Sequence, residues 1–330
     1  MPKLRSIGLA LVLSPSFVFA SVEFRFVDKG STPNYQYKQK THQDLSAAAY
    51  YNKHVLLGFD GGKNSEFPEI RLSQYSQINQ PAIKIQRQMS QQDIEGATYV
   101  DGVFLISSSL SQANEDTSEY RLLTGIEFNS DWSIRKEHKM PMRDLILSAL
   151  NQQLKDPHWY ARIAPSFGKL GGLNVEGLSV SHKNPKRVIF GLRSPLSGAS
   201  FGAPTFGDEF SLFEGDAILV EVSSPLTYPA VTDVITLPLN GHGIRGMEYI
   251  DAIKGYLIIG GPVPKQTQFS LWFYQPETKT LEKLNIKHFE KLCRPEAVLS
   301  NPDLREIIIL SESSGKACQG SSINYIKLAY

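Results

Sequence analysis

The stretch Gly172–Pro195, GLNVEGLSVSHKNPKRVIFGLRSP, decides how this chain is read. Glu176-Gly177, a charged residue followed by a small one, opens a short β-patterned run. Asn184-Pro185 marks a turn, and Val188–Leu192 forms a second, strongly apolar strand that ends on Arg193. The phrase recurs. Asp44–Ala49 precedes YYNKHVLLGFDGG, Asp93–Ala97 precedes TYVDGVFLISSSL, Gly243–Met247 precedes EYIDAIKGYLIIGGPV, and Arg294–Val298 precedes LSNPDLREIIILSESS. Each copy has a small residue after the key position, a strand, a turn, and then an apolar strand.

Two further strands follow each of the first four copies. These are EIRLSQY and AIKIQRQ, YRLLTGIEF and SIRKEHK, DAILVEV and VTDVITLPL, and FSLWFYQ and LEKLNIK. A four-stranded meander repeating about every 50 residues, once insertions are set aside, is the signature of a β-propeller. A non-repeating β-sandwich is the alternative. The fifth unit has two strands and INYIKLAY but no fourth, whereas Ser21–Val27, SVEFRFV, is a strand without a unit. Pairing the two closes the ring and hides a sheet edge. The expectation is an all-β, five-bladed propeller closed by the N-terminal strand, with six blades as the alternative.

The motifs GLNVEGLSV, GLRSPL, GHGIRGMEYI, LIIGGPV and PEAVL together resemble a bacterial exported family, the domain of unknown function numbered 3616. The likeness runs from about Gly172 to Leu299, with weaker agreement back to Asp44. It implies a propeller-like fold and export, and it brings no established activity.

Residues 1–20 read as a signal peptide: Lys3 and Arg5 are basic, Ile7–Leu13 is apolar, and Val18-Phe19-Ala20 is a small-residue cleavage site. Residues 21–330 then form a single domain in the periplasm or secreted beyond it. The apolar run is too short to span a bilayer and no later one approaches 18 residues, so no transmembrane segment is expected. The net charge is +1 over the whole chain, and loss of Lys3 and Arg5 takes it just to the acidic side of neutral. A neutral surface excludes nucleic acid as an electrostatic partner and suits a monomer that binds a small polar ligand or a protein partner. Two cysteines in an oxidising compartment permit one bridge. Cys293 falls just before an inner strand and Cys318 just after a second strand, so both reach the same face and should pair.

In a propeller the first strand of each blade lines the central channel. The start of the first strand and the end of the second share one face. In register, Ser46, Glu95, Glu176, Arg245 and Glu296 ring that mouth, with Asp60, Ser108, Arg193, Gly261 and Glu312 outside them. Three converging glutamates need compensation. Arg193 and Arg245 could supply it as an ion-pair cluster, or Glu95, Glu176 and Glu296 could hold a hard cation such as Ca²⁺. The small residues Gly96, Gly177, Gly246 and Ala297 are expected to serve close packing near the axis. Insertions 141–173 and 194–215 lie over the same face, where such scaffolds place recognition. The first contains a helical run with Ile146, Leu150 and Leu154 on one side.

Some apparent motifs carry less. Gly198–Gly202 matches G-x-S-x-G, but Pro195 and Pro204 deny it the strand and helix that a nucleophile elbow requires. His242 and His42 precede ring positions and could ligate a metal or act as bases, although a lone His at a loop end more often simply hydrogen-bonds. Zinc-protease, redox CxxC and phosphate-loop motifs are absent. The resulting expectation is ligand, cation or partner binding at Glu95, Glu176, Arg193, Arg245, Glu296 and His242. A metal-dependent ester or phosphoester hydrolase is the alternative, and a purely structural envelope protein a third reading.

Overall fold

β-Branched and aromatic runs supply the strands, and tight turns join them in sequence order. The computed structural model describes residues 22–33, 35–37, 40–42, 44–60, 68–87, 91–111, 121–153, 173–197, 215–263, 268–312, 318 and 323–330. The expected signal peptide lies outside these residues, as do 154–172 and 198–214 of the two insertions.

The first strand, β1 (Arg25–Gly30), is followed by a small hairpin of β2 (Tyr35–Tyr37) and β3 (Lys40–His42). Blade one is β4 (Leu45–Tyr51), β5 (His54–Phe59), β6 (Glu69–Gln74) and β7 (Ile83–Lys84). Blade two is β8 (Ile94–Val100), β9 (Val103–Ser108), β10 (Leu122–Phe128) and β11 (Ile134–Pro141), followed by helix α1 (Arg143–Gln153). Blade three is β12 (Asn174–Val180), β13 (Arg187–Ser194), β14 (Ala217–Ser223) and β15 (Ala230–Leu237). Blade four is β16 (Gly243–Ile250), β17 (Gly255–Gly261), β18 (Ser270–Gln275) and β19 (Thr280–Leu284). Blade five is β20 (Arg294–Asn301), β21 (Glu306–Glu312), β22 (Tyr325–Ala329) and then β1. Five antiparallel four-stranded sheets therefore stand in a ring, a five-bladed β-propeller, with β4, β8, β12, β16 and β20 adjacent around its axis.

Closure uses the N-terminal strand as expected, shifted a few residues along. β1 pairs antiparallel with β22 from Arg25↔Ala329 to Gly30↔Tyr325. Asn324 fixes the joint: its N–H donates to the Gly30 carbonyl at 2.9 Å, its Oδ1 accepts from Thr32 N at 2.7 Å, and its Nδ2 donates to Thr32 Oγ1 at 2.7 Å.

Each blade is sandwiched between two others, so both faces of its second strand are buried. That is why VLLGF, VFLISS, VIFGL, YLIIGG and EIIIL are nearly continuous apolar runs rather than alternating ones. Accordingly the core is divided into five clusters among the described residues, one at each blade–blade interface. Between blades four and five, for example, Leu257, Ile259, Ile307 and Ile309 are all fully buried.

Two elements depart from simple repetition. β7 has two residues where AIKIQRQ suggested a full strand: Ile85 turns into the interface with blade two, and Arg87 Nε reaches Glu137 Oε1 there at 3.2 Å. α1 caps the interface of blades two and three, burying Ile146, Leu147 and Leu150, while Arg143 Nη1 donates to the Leu110 carbonyl at 2.6 Å. Leu154 of the expected face lies outside the described residues. Cys293 and Cys318 form a disulfide with Cα atoms 5.4 Å apart. No helix of the described residues is long and apolar enough to cross a membrane.

Candidate functional site

All five inner strands carry a β-bulge at the same place. Register shifts fall between Leu45 and Ala47, Ile94 and Gly96, Val175 and Gly177, Ile244 and Gly246, and Pro295 and Ala297. The residues skipped are Ser46, Glu95, Glu176, Arg245 and Glu296. A bulge leaves one residue out of the ladder and re-aims its side chain. The small residue that follows has a steric cause: at Gly246 a Cβ would strike the carbonyl oxygen of Glu296 on the neighbouring inner strand. All but Arg193 and His242 of the expected ligand-binding residues therefore sit at one kind of position.

On one side of the ring the charges balance. Arg245 donates through Nε to Glu296 Oε2 at 2.9 Å and through Nη2 to Glu296 Oε1, and its Nη1 reaches Glu176 Oε1 at 3.0 Å. Arg193 Nη1 donates to that same Glu176 oxygen at 2.9 Å, and Arg193 Nε donates to the Pro262 carbonyl at 3.3 Å. Glu176 Oε2 lies 2.8 Å from Arg245 Nε but accepts no hydrogen bond, because that N–H is directed at Glu296. Burial works against the charge of Arg245; Glu176 and Glu296 more than offset it and raise the guanidinium's affinity for its proton.

On the other side the charges do not balance. Asp60, at the end of β5, joins Asp93 and Glu95, with one carboxylate oxygen from each lying within 4.8 Å of the others. None of the described Lys, Arg or His side chains forms a salt bridge with these three. Burial pushes the Asp60 carboxyl up to about 8, helped by the charges of Asp93 and Asp44 and by a hydrogen bond with Asp93. Burial raises Asp93 as well, partly opposed by donation from Ser109 Oγ. Glu95 is raised well above the usual range by burial, then by Glu176, Asp93, Asp60 and Glu296.

Of the expected metal set, Glu176 and Glu296 are thus held by arginine, and Glu95 is grouped with two aspartates instead. Asp93 was visible in the sequence as the residue two before the ring position but was not singled out. Its αL backbone, φ 57°, and the seam to Asp60 bring it in. His242 is drawn elsewhere: its Nδ1 lies 2.7 Å from Ser270 Oγ, which also accepts from Trp272 Nε1 at 2.7 Å within blade four. In the outer ring Ser108 Oγ accepts from Gln91, and Glu312 pairs with Arg294 at 2.9 Å. The side chain of His42 and the stretch Gly198–Gly202 lie outside the described part. Ser46, Glu95, Glu176 and Glu296, together with Ala47, Leu178, Met247 and Val298, line a space of about 10 Å³ at the axis, roughly one water.

No family model matches the chain, and no curated protein matches it either. The functional reading therefore comes from the residues of the mouth.

Proposed function

We propose that this propeller is an exported binding protein whose mouth takes a hard cation, Ca²⁺ foremost, at Asp60, Asp93 and Glu95. One observation carries the reading: three carboxylates converge without a basic partner among the described residues, beside a ring whose other acids are neutralised. An ion about 2.4 Å from each oxygen fits ligands lying within 4.8 Å of one another. Arg193 remains about a third exposed, at 32%, and faces the same opening. It would hold the anionic group of a small polar ligand bridging to the cation. The disulfide and the leader-like first twenty residues support an extracytoplasmic location. A hydrolase acting on an ester or phosphoester would use the same cation and arginine.

The test is titration of chelator-treated protein with CaCl₂, MgCl₂ and MnCl₂, followed by calorimetry and melting temperature. Saturable binding that raises the melting temperature and disappears in Glu95→Gln and Asp93→Asn supports the proposal. If no cation binds, the three acids are a proton-sharing cluster and the cation reading fails. An ester and phosphoester screen with the cation present separates binding from hydrolysis.

A further inference from the structure

On the rim of the face opposite the mouth, a groove of about 510 Å³ runs between the outer edges of blades one and two. It exists because β7 is two residues long, so the blade-one edge stops short of the β10–β11 hairpin. Its volume lies within the roughly 300–1,000 Å³ span of ligand pockets. One wall is aromatic: the rings of His54 and Trp132 lie 4.3 Å apart between centroids. The lining also carries the exposed glutamines Gln74, the cross-strand partner of His54, and Gln77, Gln80 and Gln86.

We infer that this groove binds a neutral saccharide, two or three sugar rings long. Four features point to that class. Each glutamine amide offers both a donor and an acceptor, the combination a sugar hydroxyl needs, and no described residue hydrogen-bonds these side-chain amides. The Trp132 indole, tilted 43° to the His54 ring, offers an apolar face for the C–H side of a pyranose. Of the charges lining the groove, Lys84 Nζ sits 2.7 Å from Glu69 Oε2, while the exposed Asp131 accepts only from neutral donors, Ser133 N at 2.9 Å and Oγ at 2.6 Å. Asp131 keeps its second carboxylate oxygen as an acceptor for a sugar hydroxyl. His54 Nδ1 lies 2.8 Å from the Asn52 carbonyl and donates to it, which leaves Nε2 as the ring nitrogen for a hydroxyl.

The backbone adds a separate observation. Trp132 holds φ 65°, the left-handed region, at a hairpin position that Gly or Asn would occupy without strain. Packing holds it there: its ring centroid lies 5.6 Å from that of Phe128 and 6.4 Å from that of Phe104, which fixes the indole beside the groove.

The experiment uses full-length protein with maltotriose, cellotriose and triacetylchitotriose, read by calorimetry and by tryptophan emission. Saturable binding of at least one trisaccharide is expected, weakened about tenfold or more in a Gln77→Ala, Gln80→Ala double variant of unchanged melting temperature. Both glutamines are exposed, so the fold should survive. The inference is overturned if none of the three binds at concentrations on the order of 10 mM. It is equally overturned if binding is unaffected in the double variant, or if the groove takes an extended peptide and no sugar.

Discussion

Arg245 Nη1 lies 3.0 Å from Glu176 Oε1, a hydrogen bond that crosses from the inner strand of blade four to that of blade three. The same guanidinium grips Glu296 on blade five, so one side chain ties three blades together at the axis. Replacing Arg245 with Met leaves buried Glu296 without a counter-charge and Glu176 with Arg193 alone, and should destabilise the protein by about 3–5 kcal/mol. Urea unfolding of the variant checks this. A loss below about 1 kcal/mol would show that the ring contributes little to holding the blades.

Glu248 gives a pH dependence separate from the mouth. It lies further along β16, near Ser179 Oγ at 3.5 Å and Ser300 Oγ at 3.4 Å, and burial pushes its carboxyl from 4.5 up to about 8. The folded state thus binds a proton more tightly than the unfolded chain. The stability from this group is complete below pH about 4.5 and is lost as pH rises toward 8. Glu248→Gln should flatten the fall in melting temperature between pH 5 and pH 8. Parallel wild-type and variant curves across that range would count against a raised Glu248.

Removing the disulfide should lower stability by up to about 3.5 kcal/mol on loop-entropy grounds for a separation of 25 residues. Paired Cys293→Ser, Cys318→Ser substitution, compared with wild type in denaturant, measures it. Peptide mapping without reductant should recover the linked pair and no free thiol.

Deleting the chain through Gly30 strips the fourth strand from blade five and exposes the edge of β22. Because blade five contacts both blade one and blade four, the damage should spread around the ring. The expected result is a lower melting temperature and a tendency to self-associate, read by calorimetry and gel filtration. A monomer with the parental melting temperature would show that closure adds nothing.

The repeats made the blade count and the ring readable, because each blade repeats one physical problem: a polar residue at the axis, then a small one where backbones meet. Glu176, Arg245 and Glu296 could be placed by register alone. The partition of their charges could not, since whether Arg245 reaches toward blade three or blade two depends on rotamers and bulge geometry. Asp60 and Asp93 escaped as a group for a similar reason. They belong to different blades and different registers, and only the blade-one to blade-two seam brings them together. The groove beside Trp132 was hidden because it follows from a strand ending early, and AIKIQRQ has the composition of one that continues.

The five bulges have an evolutionary consequence. A residue excluded from the ladder can change without disturbing the alternation of its strand or the packing behind it. The ladders therefore accept different residues at these five positions, while the charges placed there, as at Arg245, decide how firmly neighbouring blades are tied. Ser46, the one uncharged residue of the five, is the position where a new chemistry could be introduced with least disturbance to the scaffold.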